Sequence, residues 1–115
     1  MQKMGQIDYE AEVKREDYGL CIEHPVLTNS IPVAHWYLAR LRSPFGTPFV
    51  WTRQFAKEMP SGHIVDWFDG YYLDDKGERQ PMRIFIDSYC SCNCVAPIRG
   101  WSVVDEDMNV IESGK

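Results

Sequence analysis

Residues 64–86 constrain the fold more than any other stretch. Ile64 to Leu73 is apolar and rich in aromatics, Asp74-Asp75-Lys76-Gly77-Glu78 is a turn sequence, and Met82 to Ile86 is a returning apolar arm. Two strand-like arms around a polar, glycine-containing turn predict a β-hairpin. The C-terminal part repeats the form, with Trp101 to Val104, the turn Asp105-Glu106-Asp107, and Met108 to Ile111. A chain of 115 residues holding two such hairpins predicts a single compact domain over 1–115. Its expected class is α+β: a mostly antiparallel, hairpin-rich sheet with one or two short helices.

The remaining segments fill in that frame. Ile7, Tyr9, Ala11 and Val13 alternate with Asp8, Glu10, Glu12 and Lys14, a period of two that predicts a half-buried strand. Tyr18 to Ile22 is a second short apolar run that fits a strand, stopped at His24-Pro25, and Thr28-Asn29-Ser30 is a loop sequence. Val33 to Leu41 fits a strand or a helix; its bulky and β-branched residues favour the strand. With residues 48–53 it would make a further hairpin around Ser43-Pro44-Phe45-Gly46-Thr47-Pro48. Thr52 to Met59 lacks Gly and Pro and contains good helix formers, so it is the expected helix, ended by Pro60-Ser61-Gly62.

The net charge of −5 is unevenly spread: residues 1–24 carry −3, residues 25–57 carry +4 with no acid, and residues 58–115 carry −6. The basic middle interleaves His35, Trp36, Tyr37, Arg40, Arg42, Phe45, Phe49, Trp51, Arg53 and Lys57. Rings among cations suit single-stranded nucleic acid, yet four cations are few for an acidic chain, and core packing explains most of the rings. The acids gather in the two turns, Asp74 and Asp75, then Asp105, Glu106 and Asp107, with Asp66 and Asp69 nearby. Such carboxylates steer association with a basic protein surface or simply solvate turns. Neither turn has the spacing of a calcium loop.

Three of the four cysteines fall in Cys90-Ser91-Cys92-Asn93-Cys94, and the fourth is in Cys21-Ile22-Glu23-His24. Cys21, His24, Cys90, Cys92 and Cys94 are the candidate ligands of a structural zinc ion. Residues i and i+2 of a strand lie roughly 6.5 Å apart, whereas two sulfurs sharing one zinc must be nearer than about 4.5 Å. The run therefore needs a kink, which Asn93 supplies if it turns left-handed. Otherwise the three thiols are buried residues on one face of a strand. A thiol enzyme would need one of His24, His35 and His63 as base, with Asp66 or Asp87 orienting it; nothing in the spacing selects such a set. His63, after Ser-Gly, reads as an exposed loop residue.

No apolar run reaches eighteen residues, and the N-terminal segment has no apolar core of signal-peptide length. The chain is expected to be cytoplasmic, with no membrane partner and reduced thiols. No phosphate loop, zinc-protease or serine-hydrolase motif occurs in it. The expected function is stoichiometric binding of a protein partner with a basic surface, as an inhibitor or accessory regulator. One form of this would compete with nucleic acid for that surface. Trp36 and Trp51 are the aromatic anchors, and Asp66, Asp69, Asp74, Asp75, Asp105, Glu106 and Asp107 the acidic ones. A zinc-stabilised domain and a small thiol-dependent enzyme are the alternatives; no cofactor beyond zinc is expected.

Overall fold

The computed structural model describes residues 9–90 and 96–113. The fold is α+β, with antiparallel sheet dominant and two short helices. In chain order the elements are α1 (Tyr9–Val13), β1 (Val26–Leu27), α2 (Ile31–Arg40), β2 (Leu41–Arg42), β3 (Val50–Glu58), β4 (Ile64–Leu73), β5 (Arg79–Asp87), β6 (Ser102–Val104) and β7 (Val110–Ser113). They form a four-stranded sheet, β1-β5-β4-β3, and a three-stranded sheet, β2-β6-β7. β1 runs parallel to β5, pairing Val26 with Ile86, and the other pairings are antiparallel.

The β4–β5 hairpin stands where the sequence places it, in register from Val65–Asp87 to Leu73–Arg79. Its turn is closed by the Asp74 side chain, which accepts hydrogen bonds from the backbone N–H of Lys76 and Glu78, each at 2.9 Å. The β6–β7 hairpin uses the same device, with Asp105 accepting from Asp107 and Asn109 at 2.9 Å.

Four segments differ from expectation. Residues 31–40 are a helix, not a strand. The Ser30 hydroxyl accepts from the Val33 N–H at 3.3 Å and caps it, and Pro32 lies in the first turn, where its missing N–H costs nothing. Ala34, Tyr37 and Leu38 form the buried stripe, a helical spacing that outweighs the β-propensity of the bulky residues. The hairpin expected from residues 33–42 and 48–53 shrinks to a single bridge between Arg42 and Pro48. Residues 50–58 are strand β3, not a helix. Eight residue pairs with β4 overrule a local helix preference worth only tenths of a kcal/mol per residue. Tyr9–Val13 is one helical turn, α1, not a strand. Glu10 and Glu12 favour a helix N-terminus. Residues 7 and 8 of that expected strand lie outside the described residues.

Tyr18 to Ile22 is a series of turns, not a strand. Tyr18 is fully buried, and its hydroxyl accepts from the Leu27 N–H at 3.2 Å. Gly19 has φ +77° and gives its carbonyl to the Phe85 N–H at 2.8 Å, so the turn continues the edge of β5.

The core lies between one face of the four-stranded sheet and α2, with the smaller sheet closing one end. Phe68, Ile84 and Ile86 of the sheet meet Tyr37, Leu38 and Ile98 there, all 1% exposed or less. The Tyr37 hydroxyl donates to the Ala96 carbonyl at 3.0 Å, and the Trp101 ring stands edge-on to Tyr72.

Candidate functional site

Strand alternation sends the next set of side chains to the opposite, outer face of the sheet. Across β3, β4 and β5 the pairings there are Phe55–Trp67–Phe85, then Arg53–Asp69–Arg83, and on the other side Lys57–Val65–Asp87. The three rings form one continuous row, with centroids 5.8 Å apart for Phe55–Trp67 and 5.7 Å for Trp67–Phe85. Phe55 is exposed, and Trp67 and Phe85 are half-buried. Arg83 binds Asp69 through two hydrogen bonds of 2.5 and 2.9 Å and stands 5.7 Å from the centre of the Trp67 ring. The guanidinium holds the Asp69 carboxyl below the usual carboxylate range. Arg79 lies over Tyr71 at 4.3 Å. Arg53 and Arg83 flank the ring row on one side, with Asp69 between them, and Lys57 flanks it on the other, in line with Asp87.

β3 is the edge of this sheet. Eight of its nine residues are exposed. A bulge between Trp51 and Arg53 turns Trp51 inward, edge-on to His35 and Phe68, while Arg53 faces out.

One pair beyond the ring row, the sheet ends in a polar group. Asp87, the last residue of β5, is 5% exposed. Its Oδ2 lies 2.6 Å from His63 Nδ1, and its Oδ1 accepts from the Tyr89 N–H at 2.9 Å. The Cys90 N–H donates to the Thr28 carbonyl at 3.0 Å, and the Thr28 N–H donates to the Asp87 carbonyl at 2.9 Å. These bonds set the chain after β5. His63, Asp87 and Cys90 each offer one ligand atom, all within 4.8 Å of one another, and this group could hold a metal ion. Imidazole, carboxylate and thiolate are donors that zinc accepts. An ion between His63 and Asp87 would replace their direct hydrogen bond and displace its proton.

His63 and Asp87 also line a cleft of about 300 Å³ between residues 22–27 and the β3–β4 turn. A second histidine–carboxylate pair lines the same cleft, His24 Nδ1 and Glu12 Oε2 at 2.6 Å.

The expected ligands divide. Cys90 belongs to the group with His63 and Asp87, whereas Cys21 and His24 stand outside it. Cys21 points at Asp17, 3.7 Å from its carboxylate, and burial pushes its thiol pKa up. Cys92 and Cys94 lie outside the described residues. The expected partner-binding residues are also dispersed. Trp51 packs inward, and Trp36 is 39% exposed on α2. Asp66 is buried on the inner face, and its carboxyl is pushed up by that burial, with His35 opposing. Asp69 pairs with Arg83, and Asp74 and Asp105 close their own turns. Asp75, Glu106 and Asp107 are exposed at the hairpin tips. The sequence shows Arg53 and Lys57 as part of a basic stretch, but the row of Phe55, Trp67 and Phe85 beside Arg83 is hidden while residues 52–59 are read as a helix. As a strand, the odd-numbered residues 53, 55 and 57 fall beside 65, 67 and 69.

Among the described residues no helix is long and apolar enough to cross a membrane. No family model matches the chain, and comparison with curated proteins and with solved structures likewise finds no match.

Proposed function

We propose that this is a stoichiometric binding protein that acts in the cytosol by occupying a protein partner, as an inhibitor or accessory regulator. Its grip is the outer face of the four-stranded sheet. The observation that carries this is the in-register row Phe55–Trp67–Phe85 beside Arg53 and Arg83. Cross-strand packing gives such a row only about 0.2–1 kcal/mol per pair, and a contiguous aromatic row left open on an outer face is a surface suited to a partner. Trp and Arg are also the residues that most often dominate binding energy when covered. The net charge of −5 and the exposed tips at Asp75, Glu106 and Asp107 steer the molecule toward a partner with a basic surface. The test is capture of a partner by the purified chain, followed by sizing and titration with Phe55→Ala, Trp67→Ala and Phe85→Ala. A one-to-one complex that loses roughly 30-fold in affinity or more with at least one ring removed is expected. A complex indifferent to all three substitutions overturns the assignment of this face.

The group at His63, Asp87 and Cys90 favours a second reading, a zinc-stabilised domain. Metal analysis after zinc loading should give close to one ion per chain, lost on Cys90→Ser. Less than about a tenth of an ion per chain would remove this alternative.

A further inference from the structure

We infer that the partner contributes one extended strand, which adds to the open edge of β3 and carries an acidic–x–apolar–x–acidic sequence. The inference rests on the binding function above and specifies its ligand. β3 is nine residues long and, among the described residues, pairs only on its β4 side, which leaves the backbone groups on its other side to a fifth strand. Such a strand extends each cross-strand row by one position. Opposite Phe55 the row Phe85–Trp67–Phe55 continues, which calls for an apolar or aromatic residue. Two residues to either side, the partner faces Arg53 and Lys57, and a carboxylate is favoured at both places. The pattern is the same read in either direction, so parallel and antiparallel addition both satisfy it.

A second copy of this chain does not. Pairing two β3 strands antiparallel with Phe55 opposite Phe55 sets Arg53 against the other copy's Lys57, and parallel in-register pairing sets each cation against itself. Like charges directly opposite destabilise a sheet, so the edge is defended against self-association while open to an acidic strand. Single-stranded nucleic acid would also meet rings and cations on this face. The chain's net charge of −5 opposes a polyanion, and bases make no use of the strand edge. Charge acts here on two scales: the net charge steers at long range toward a basic partner, and Arg53 and Lys57 select the docked strand at contact.

The probe is a labelled nine-residue peptide with a central phenylalanine, a glutamate two residues to each side, and threonine elsewhere, titrated by fluorescence anisotropy. A peptide with lysine for both glutamates should bind about tenfold more weakly or worse. So should one with the glutamates moved by one position, which turns them to the other face. Backbone N-methylation at alternate residues, in one phase or the other, should abolish binding. The exposed double variant Arg53→Glu with Lys57→Glu should reverse the preference toward the lysine peptide. Equal affinity for the glutamate and lysine peptides overturns the inference. So does no binding up to about 1 mM; if a ring-dependent partner complex still forms, only the strand is wrong, and if none forms, the binding function falls with it. A single-stranded oligonucleotide binding more tightly than the peptide overturns both, and dimerisation abolished by the same double variant overturns the exclusion of a second copy.

Discussion

Gly70 lies directly beneath the backbone of Val50. A Cβ on Gly70 would come within 2.0 Å of the Val50 carbonyl oxygen and 2.6 Å of the Trp51 Cα. The β3 bulge presses the two strands together at this point, and only a residue without a side chain fits. Gly70→Ala is expected to cost about 2–3 kcal/mol, read as a lower urea midpoint. Gly77→Ala is the milder comparison, because an added Cβ there meets open space and the cost is the strain of φ +77° alone. A Gly70→Ala protein within about 0.5 kcal/mol of wild type would contradict this packing.

The two faces of the sheet should separate stability from binding. Tyr37 is fully buried and hydrogen-bonded to Ala96, so Tyr37→Phe is expected to cost about 1 kcal/mol and Tyr37→Ala about 3–5 kcal/mol. Phe55→Ala, on an exposed position, is expected to cost less than about 1 kcal/mol while weakening partner binding. Paired denaturation and binding titrations read both quantities. Equal stability losses for Phe55→Ala and Tyr37→Ala would mean that the ring row serves the fold and not a ligand.

Asp66 supplies a pH dependence of known sign. Burial raises its folded pKa above the ordinary carboxylate range, so its protonated form is the one the fold favours. That contribution is fully present below about pH 4 and is lost as pH rises through the folded value. Asp66→Asn, which does not titrate, should match wild type at pH 3 and be more stable at pH 7. Urea midpoints at the two pH values give the comparison. A gap of the same size at both, or one that closes as pH rises, would show that burial is not what governs this carboxyl.

Zinc at a hundredfold excess over its dissociation constant would stabilise the native state by about 2.7 kcal/mol. For a chain of this size the rise in Tm should be on the order of 10 °C. Cys90→Ser and Asp87→Asn should abolish the rise, and magnesium should not reproduce it, because it prefers all-oxygen sites. An undiminished rise in Cys90→Ser would place the ion elsewhere, with His24 and Cys21 the first residues to examine.

Both hairpins were legible in the sequence because their signals are local: strand-like arms and a turn with Asp at its first position. The α+β class follows from them. The helix at 31–40 carried its signal at its start, in Ser30 and Pro32, rather than in its aromatic body. β3 was illegible because its residues favour a helix locally, and only eight pairings with β4 decide otherwise. The polar group was half legible. Asp87 was recognisable as a carboxylate able to orient a histidine, and Cys90 as a ligand. Their junction with His63 depends on the β3–β4 turn meeting the end of β5, a contact between residues 24 apart that no local spacing encodes.

The parallel pairing of β1 with β5 has a bearing on biosynthesis. Val26 hydrogen-bonds into the sheet beside Ile86, and Leu41 of β2 finds its partner only at Val103. On the ribosome, Val26 and Leu41 emerge before the strands that pair with them in the finished fold. They wait for some sixty further residues to be polymerised, since closures of such long range come late in folding. Until then Tyr18, Val26 and Leu27 are a lure for chaperones and for other nascent chains. Yield in cells should therefore be more sensitive to translation rate and temperature than the stability of the finished protein would suggest.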